Sequence, residues 1–156
     1  MKRTYQLLGI VGVIIACVAL SGLYTYIQVN RYSADGVYDT AEEGMMALID
    51  KNYSADREAT ILYAGTNSFN GSRPYVWYVI AEVRASAHAD GSALYNEGCE
   101  SPGSYFLHTK NGWIHVPEGA FPDYMGLWMT MFNMAGPGQS EPSVDRAGDQ
   151  LNQFCQ

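Results

Sequence analysis

Positive charge is scarce in this chain, and histidine and cysteine are scarcer: its 156 residues include nine Lys and Arg, three His and three Cys. All sixteen Asp and Glu lie beyond residue 31, where only six Lys and Arg remain, so that part has a formal charge of −10. A surface of that sign repels phosphate backbones and anionic lipid heads, which argues against nucleic acid as a partner. Also missing are G-x-S-x-G, H-E-x-x-H, a phosphate-binding loop and paired-cysteine metal motifs. No familiar route to nucleophilic, metal-assisted or phosphoryl chemistry is written here, and no cofactor or resident metal is expected. Internal repeats and low-complexity tracts are absent too.

What the chain does have is a run from Leu7 to Ile27 without a charged side chain. As a helix rising ~1.5 Å per residue it covers about 30 Å, the thickness of a bilayer's hydrocarbon core. Lys2 and Arg3 precede the run and only Arg31 follows closely, which orients the N-terminus to the cytoplasm and the remainder outward. Tyr5, Tyr24 and Tyr26 suit the headgroup regions. Two other fates compete with an uncleaved anchor. Ala19, Leu20 and Ser21 offer small residues at the spacing a signal peptidase prefers, and Ile14, Ile15, Ala16 and Cys17 resemble a bacterial lipobox. The apolar run is about twice the length of a signal core and continues through Val18 to Leu23, which favours the anchor.

The expected division is residues 1–31 as basic tip and anchor and 32–156 as one extracytoplasmic domain, about the size of a single hydrophobic core. Cys17 lies in the apolar run, so Cys99 and Cys155 remain as an even pair in an oxidising compartment and are expected to form a disulfide.

Val29 to Tyr38 reads as a short connector. Thr40, Ala41, Glu42 and Glu43 form a capping box, and Met45, Leu48, Ile49 and Tyr53 follow at helical spacing. Gly44 weakens this helix by up to ~1 kcal/mol relative to alanine. Ala59–Ala64 and Tyr75–Ala85 are β-prone and flank the turn formers of Asn67–Pro74, while Gly91–Gly103 is irregular. Ser104–Lys110 and Trp113–Pro117 flank Asn111 and Gly112, the dipeptide of two-residue hairpins. That turn sets Lys110 opposite Trp113, Thr109 opposite Ile114, His108 opposite His115 and Leu107 opposite Val116. Tyr105, Leu107, Thr109, Ile114 and Val116 then share a core face, and Phe106, His108, Lys110, Trp113 and His115 share the other. Pro122 and Asp123 open an apolar helix through Met134, and Val144, Ala147, Leu151 and Phe154 suggest a weaker closing helix.

The fold class expected is therefore α+β: a transmembrane helix, then one helix on a four-stranded antiparallel meander, with a further C-terminal helix. This element order over Thr40 to Pro117 is similar to cystatin-like and NTF2-like exported domains. With no motif residues to match, the resemblance implies a fold and transfers no active site.

Several residues are candidates for a site. Opposed His108 and His115 would have Cβ atoms ~5 Å apart, near enough to share a metal, but zinc usually needs at least three protein ligands; a solvent-facing pair without metal is the simpler reading. Trp113 with Tyr75 and Trp77 would make an aromatic platform for a sugar or a protein partner, although Trp77 reads more simply as core. The methionine-rich segment Met125–Met134 suits packing on the sheet, with a partner surface or a face against the membrane as its other readings. Glu82, Glu97, Glu100 and Glu118 look like surface or loop carboxylates. Asn52 and Asn70 begin glycosylation triplets that matter only in a eukaryotic source. The leading expectation is a membrane-anchored binding or accessory module contacting a protein partner or an envelope component. Its alternatives are an exported enzyme using a pocket in the curved sheet, and a structural subunit packing through Gly9, Gly12 and Ala16 of the anchor.

Overall fold

The structure is a computed structural model that describes residues 2–66, 75–117, 123–139, 141–145 and 155, with the side chains of 2–8 and 123–124 left aside. Helix α1 runs unbroken over Lys2–Asp35. The connector expected from Val29 is therefore helical for most of its length, and the reason is tertiary: Val29 is buried and Tyr32 partly buried against the sheet, which holds the helix past its apolar run. Hydroxyls along this stretch stay satisfied within the helix, Thr25 donating to the Ser21 carbonyl (3.0 Å) and Ser33 to the Val29 carbonyl (2.8 Å).

Helix α2 (Ala41–Asn52) starts where the capping box predicts. The Thr40 hydroxyl accepts the Glu43 amide at 3.1 Å, and the Glu43 carboxylate reaches back to the Asp39 amide at 3.2 Å. Ala41, Gly44, Met45 and Ile49 form its buried stripe.

Strands β1 (Glu58–Gly65), β2 (Val76–Arg84), β3 (Cys99–Glu100), β4 (Gly103–Thr109), β5 (Gly112–Val116) and β6 (Val144–Asp145) make one antiparallel sheet in the order β5-β4-β2-β1-β6, with β3 beside β2. The fold is thus α+β, with six strands among the described residues in place of the expected four. A bulge between Ile61 and Tyr63 shifts the β1–β2 register by one residue. Val144, expected in a closing helix, instead pairs with Ala64 in β6, while Ala147, Leu151 and Phe154 lie outside the described residues, as do Asn67–Pro74 and Glu118.

The hairpin register differs from expectation by two residues. Thr109 pairs with Gly112, His108 with Trp113, Leu107 with Ile114, Phe106 with His115 and Tyr105 with Val116. A type I′ turn on Asn111 and Gly112 needs positive φ at both, but of these two only Gly112 has it, at +127°. Tyr38 exchanges two 2.8 Å backbone hydrogen bonds with Trp113. A Cβ on Gly112 would stand 2.6 Å from the Tyr38 carbonyl oxygen, so the glycine is spent on this close approach rather than on the centre of the turn. Because the shift is even, each side chain keeps its expected face.

Both faces are covered. On one, α2 packs Met45 and Ile49 over Trp77, Val79, Ala81, Val83, Phe106 and Trp113. On the other, helix α3 (Asp123–Met131) and the end of α1 bring Met125, Met129 and Val29 onto Val76, Leu107, Ile114 and Val116. Helix α3 ends at Met131, before the expected Met134. Asn133 takes φ +52°, and hydrogen bonds from the Met134 N–H to the Met129 carbonyl (2.8 Å) and from the Asn133 N–H to the Thr130 carbonyl (3.1 Å) close a Schellman turn. Cys99 and Cys155 form a disulfide, and Cys17 is free and exposed.

Candidate functional site

A cleft of about 610 Å³ opens between the C-terminal half of α2, the loop following β2 and the rim of the sheet. Met45, Leu48 and Ile49 give it an apolar floor, while Lys51, His88, Asp90, Ser92, Ser104 and His115 bring polar groups to its edge. Backbone pairing builds its far wall. Ser54 donates to the Ala87 carbonyl (3.0 Å) and Ala89 to the Asn52 carbonyl (2.8 Å), so residues 87–89 run alongside the end of α2. Asp90 accepts both the amide (2.9 Å) and the hydroxyl (2.7 Å) of Ser92, tightening the turn that carries His88.

Glu100 is the anchor of this wall. One carboxylate oxygen accepts the Tyr53 hydroxyl at 2.9 Å; the other accepts the Tyr95 amide at 3.0 Å and lies 3.2 Å from His88 Nε2. Partial burial by itself raises the Glu100 pKa, yet the hydrogen bonds from Tyr95 and Tyr53 and the nearby His88 prevail and hold it below the usual carboxylate value. Burial, reinforced by Glu100, pushes the Tyr53 phenol well above its ordinary value, so it remains a donor at neutral pH. Tyr53 and His88 also stand ring to ring, 5.0 Å between centroids. The neighbouring Cys99 disulfide fastens β3, and hence Glu100, to Cys155.

His115 lines the opposite side of the cleft. Desolvation lowers its pKa, with Asp35 opposing and Lys51 adding to the shift, so the imidazole is neutral at pH 7 and free to accept a proton or a hydrogen bond.

The anticipated constellation is split by the register. His108 stands opposite Trp113 and stacks on it at 4.3 Å and 3°, with Nδ1 donating to the Pro137 carbonyl at 2.9 Å, whereas His115 stands opposite Phe106. The two imidazoles are thus not directly opposed, and among the described residues no three His, Cys, Asp or Glu gather as metal ligands. Trp77 and Trp113 are 3% and 4% exposed and pack on each other at 4.8 Å under α2, because α2 covers the face that would have been solvated. Tyr75 belongs to the other face, beside the methionine cluster. The three rings therefore do not form one exposed platform. Of the histidine and aromatic site candidates, His108, His115, Trp113, Tyr75 and Trp77, it is His115 that lines the cleft, where Asn52 of the first glycosylation triplet also stands.

Tyr53, His88 and Glu100 were missed as a group. Tyr53 and Glu100 are 47 positions apart, and no local spacing brings them together; Glu100 reads as a loop carboxylate in the sequence, and its adjacency to Cys99 is the one local signal that could have marked it as fixed. Among the described residues no serine or cysteine hydrogen-bonds an imidazole of the cleft. No family model, curated protein or solved structure matches this chain.

Proposed function

We propose that this protein is a membrane-anchored binding module. α1 serves as the anchor with its N-terminus in the cytoplasm, and the α+β domain presents the α2 cleft to a protein partner or envelope component outside. The supporting observation for the cleft is that α2 and the 87–92 wall leave a concave, partly apolar opening whose polar rim is held rigid by Glu100 and the disulfide. Such a site fits a short ligand segment with an apolar part for Met45, Leu48 and Ile49 and hydrogen-bonding groups for Ser92, Ser104 and neutral His115. For the anchor, the support is that one N-terminal helix is long and apolar enough to cross a bilayer. Tethering raises local concentration, so modest affinity suffices. A likeness to cystatin-like and NTF2-like domains rests on the order of the elements and adds no ligand.

The test is photocrosslinking from single positions in native membranes. A crosslinker at Leu48 or Ser92 is expected to capture a discrete species that a crosslinker at Ala55, in the exposed turn after α2 and outside the cleft lining, does not, and His115→Ala combined with Leu48→Glu should abolish it. Equal labelling from Ala55 and Leu48 would count against the cleft.

The neutral, half-buried His115 favours one second reading, an exported enzyme in which it accepts a proton from the bound molecule. Turnover of a captured species, lost in His115→Gln while binding persists, would select that reading over the first.

A further inference from the structure

We infer that α3 lies in the outer leaflet of the membrane, so that the domain rests partly sunk in lipid rather than standing clear of it on a stalk. This rests on α1 being a membrane anchor. Helix α3 packs on α1 one turn below the end of the apolar run: Trp128 Nε1 donates to Ser21 Oγ at 3.0 Å, and Trp128 and Phe132 lie so close over Gly22 that a Cβ there would be 3.2 Å from each ring. Measured from Leu7, Gly22 is about 22 Å along the helix axis, and even from Thr4, the first residue after the basic pair, only about 27 Å. A hydrocarbon core is about 30 Å thick, and any tilt of α1 shortens its projection further. The level at which α3 touches α1 therefore falls inside the bilayer.

The composition of α3 agrees with that depth. After Asp123 at its first position, the sequence from Tyr124 to Gln139 has no Asp, Glu, Lys or Arg, although the domain as a whole is strongly acidic. Beside the exposed Thr130, whose hydroxyl bonds the Gly126 carbonyl within the helix, its large apolar side chains and the following Phe132 divide three ways. Met125 and Met129 point into the sheet core, Trp128 and Phe132 meet α1, and Leu127 and Met131, one turn apart, are each 63% exposed. On α1 the exposed Leu20, Leu23 and Ile27 extend the same apolar surface beside it. In water this face is a liability, whereas in acyl chains it is the ordinary surface of an interfacial helix. Polar groups return at the height expected for headgroups: Asn30, roughly 12 Å above Gly22 along α1, joins Ser33, Lys110 and Asn111 around a cavity of about 410 Å³ whose lower part is Tyr26 and Phe132. Among the described residues the one charged side chain lining that cavity is a lysine, so the negative charge of the domain does not oppose the arrangement there.

The experiment uses the full chain in phosphatidylcholine vesicles with Cys17→Ser and single nitroxide labels on Leu127→Cys, Met131→Cys, Ile14→Cys or Ala55→Cys, read by oxygen and nickel-chelate relaxation. Leu127 and Met131 are expected to match Ile14, relaxed by oxygen and shielded from nickel, with Ala55 showing the reverse. If Leu127 and Met131 behave like Ala55 while Ile14 remains shielded, the anchor reading survives and the immersion of α3 is refuted. If Ile14 is itself open to nickel, the anchor fails and the inference falls with it.

Discussion

Gly44→Ala gives the sharpest test of how the domain is held together, because helix propensity and tertiary packing demand opposite signs. In an isolated helix the change stabilises by about 1 kcal/mol. In this fold a Cβ at Gly44 would lie 3.0 Å from Phe106 Cδ1, closer still to its Cε1, and 2.9 Å from Tyr38 Cδ2. Phe106 is fully buried and cannot swing away, with Trp77 and His115 beside it in the neighbouring strands. Forcing one carbon into contacts this short against a fully buried ring falls at the upper end of the overpacking range, about 2–3 kcal/mol, so the net expectation is a loss of about 1–2 kcal/mol after the propensity gain. At a urea slope near 1.5–2 kcal/mol per molar, that lowers the midpoint by roughly 0.5–1 M. The assay is urea unfolding of the full chain in mild detergent, followed by tryptophan fluorescence, since Trp77 and Trp113 sit under α2. Phe106→Leu should absorb much of the penalty, so the double variant is expected to be more stable than the sum of its singles. A midpoint raised by Gly44→Ala alone would refute the claim that α2 approaches the sheet through this glycine.

Three further outcomes follow from the same contacts. Reducing Cys99–Cys155, which closes 56 residues, or replacing both with serine, should cost about 4 kcal/mol in the chain-entropy model, measurable as a lowered midpoint with the urea slope checked for change. His115 has a folded pKa below its ordinary 6.5, so the unfolded chain takes up the proton first as pH falls. Stability should therefore decline below about pH 6.5 until the folded pKa is also passed, and thermal melts of His115→Gln should lack that component of the pH dependence. Thr40→Ala removes the cap on α2 and should cost about 1 kcal/mol, with amide exchange accelerated first at Glu43, whose N–H it leaves unpaired.

Local signals in the sequence reached far into this molecule. The uncharged run marked a helix long and apolar enough to cross a membrane, the capping box placed the start of α2 at Thr40, setting Cys17 aside in the apolar run left Cys99 to pair with Cys155, and β-prone runs located four strands to within about a residue or two. Each depends on neighbours a few positions apart, or on parity, which distance in the fold cannot alter. Even the faces of the hairpin were readable, because a slip of two residues preserves alternation.

What only the tertiary structure decided are the matters in which one atom's place depends on a distant backbone. Gly112 yields the turn because Tyr38 must come close, and that moves His108 away from His115. α1 continues to Asp35 because the sheet buries Val29, and Gly44, a weakness in an isolated helix, is the gap that admits Phe106. The cleft wall exists because Glu100 gathers Tyr53 and His88 across loops whose spacing announces nothing. Periodicity and capping are properties of a segment, while a register or a cleft belongs to surfaces that meet only once the chain has closed on itself.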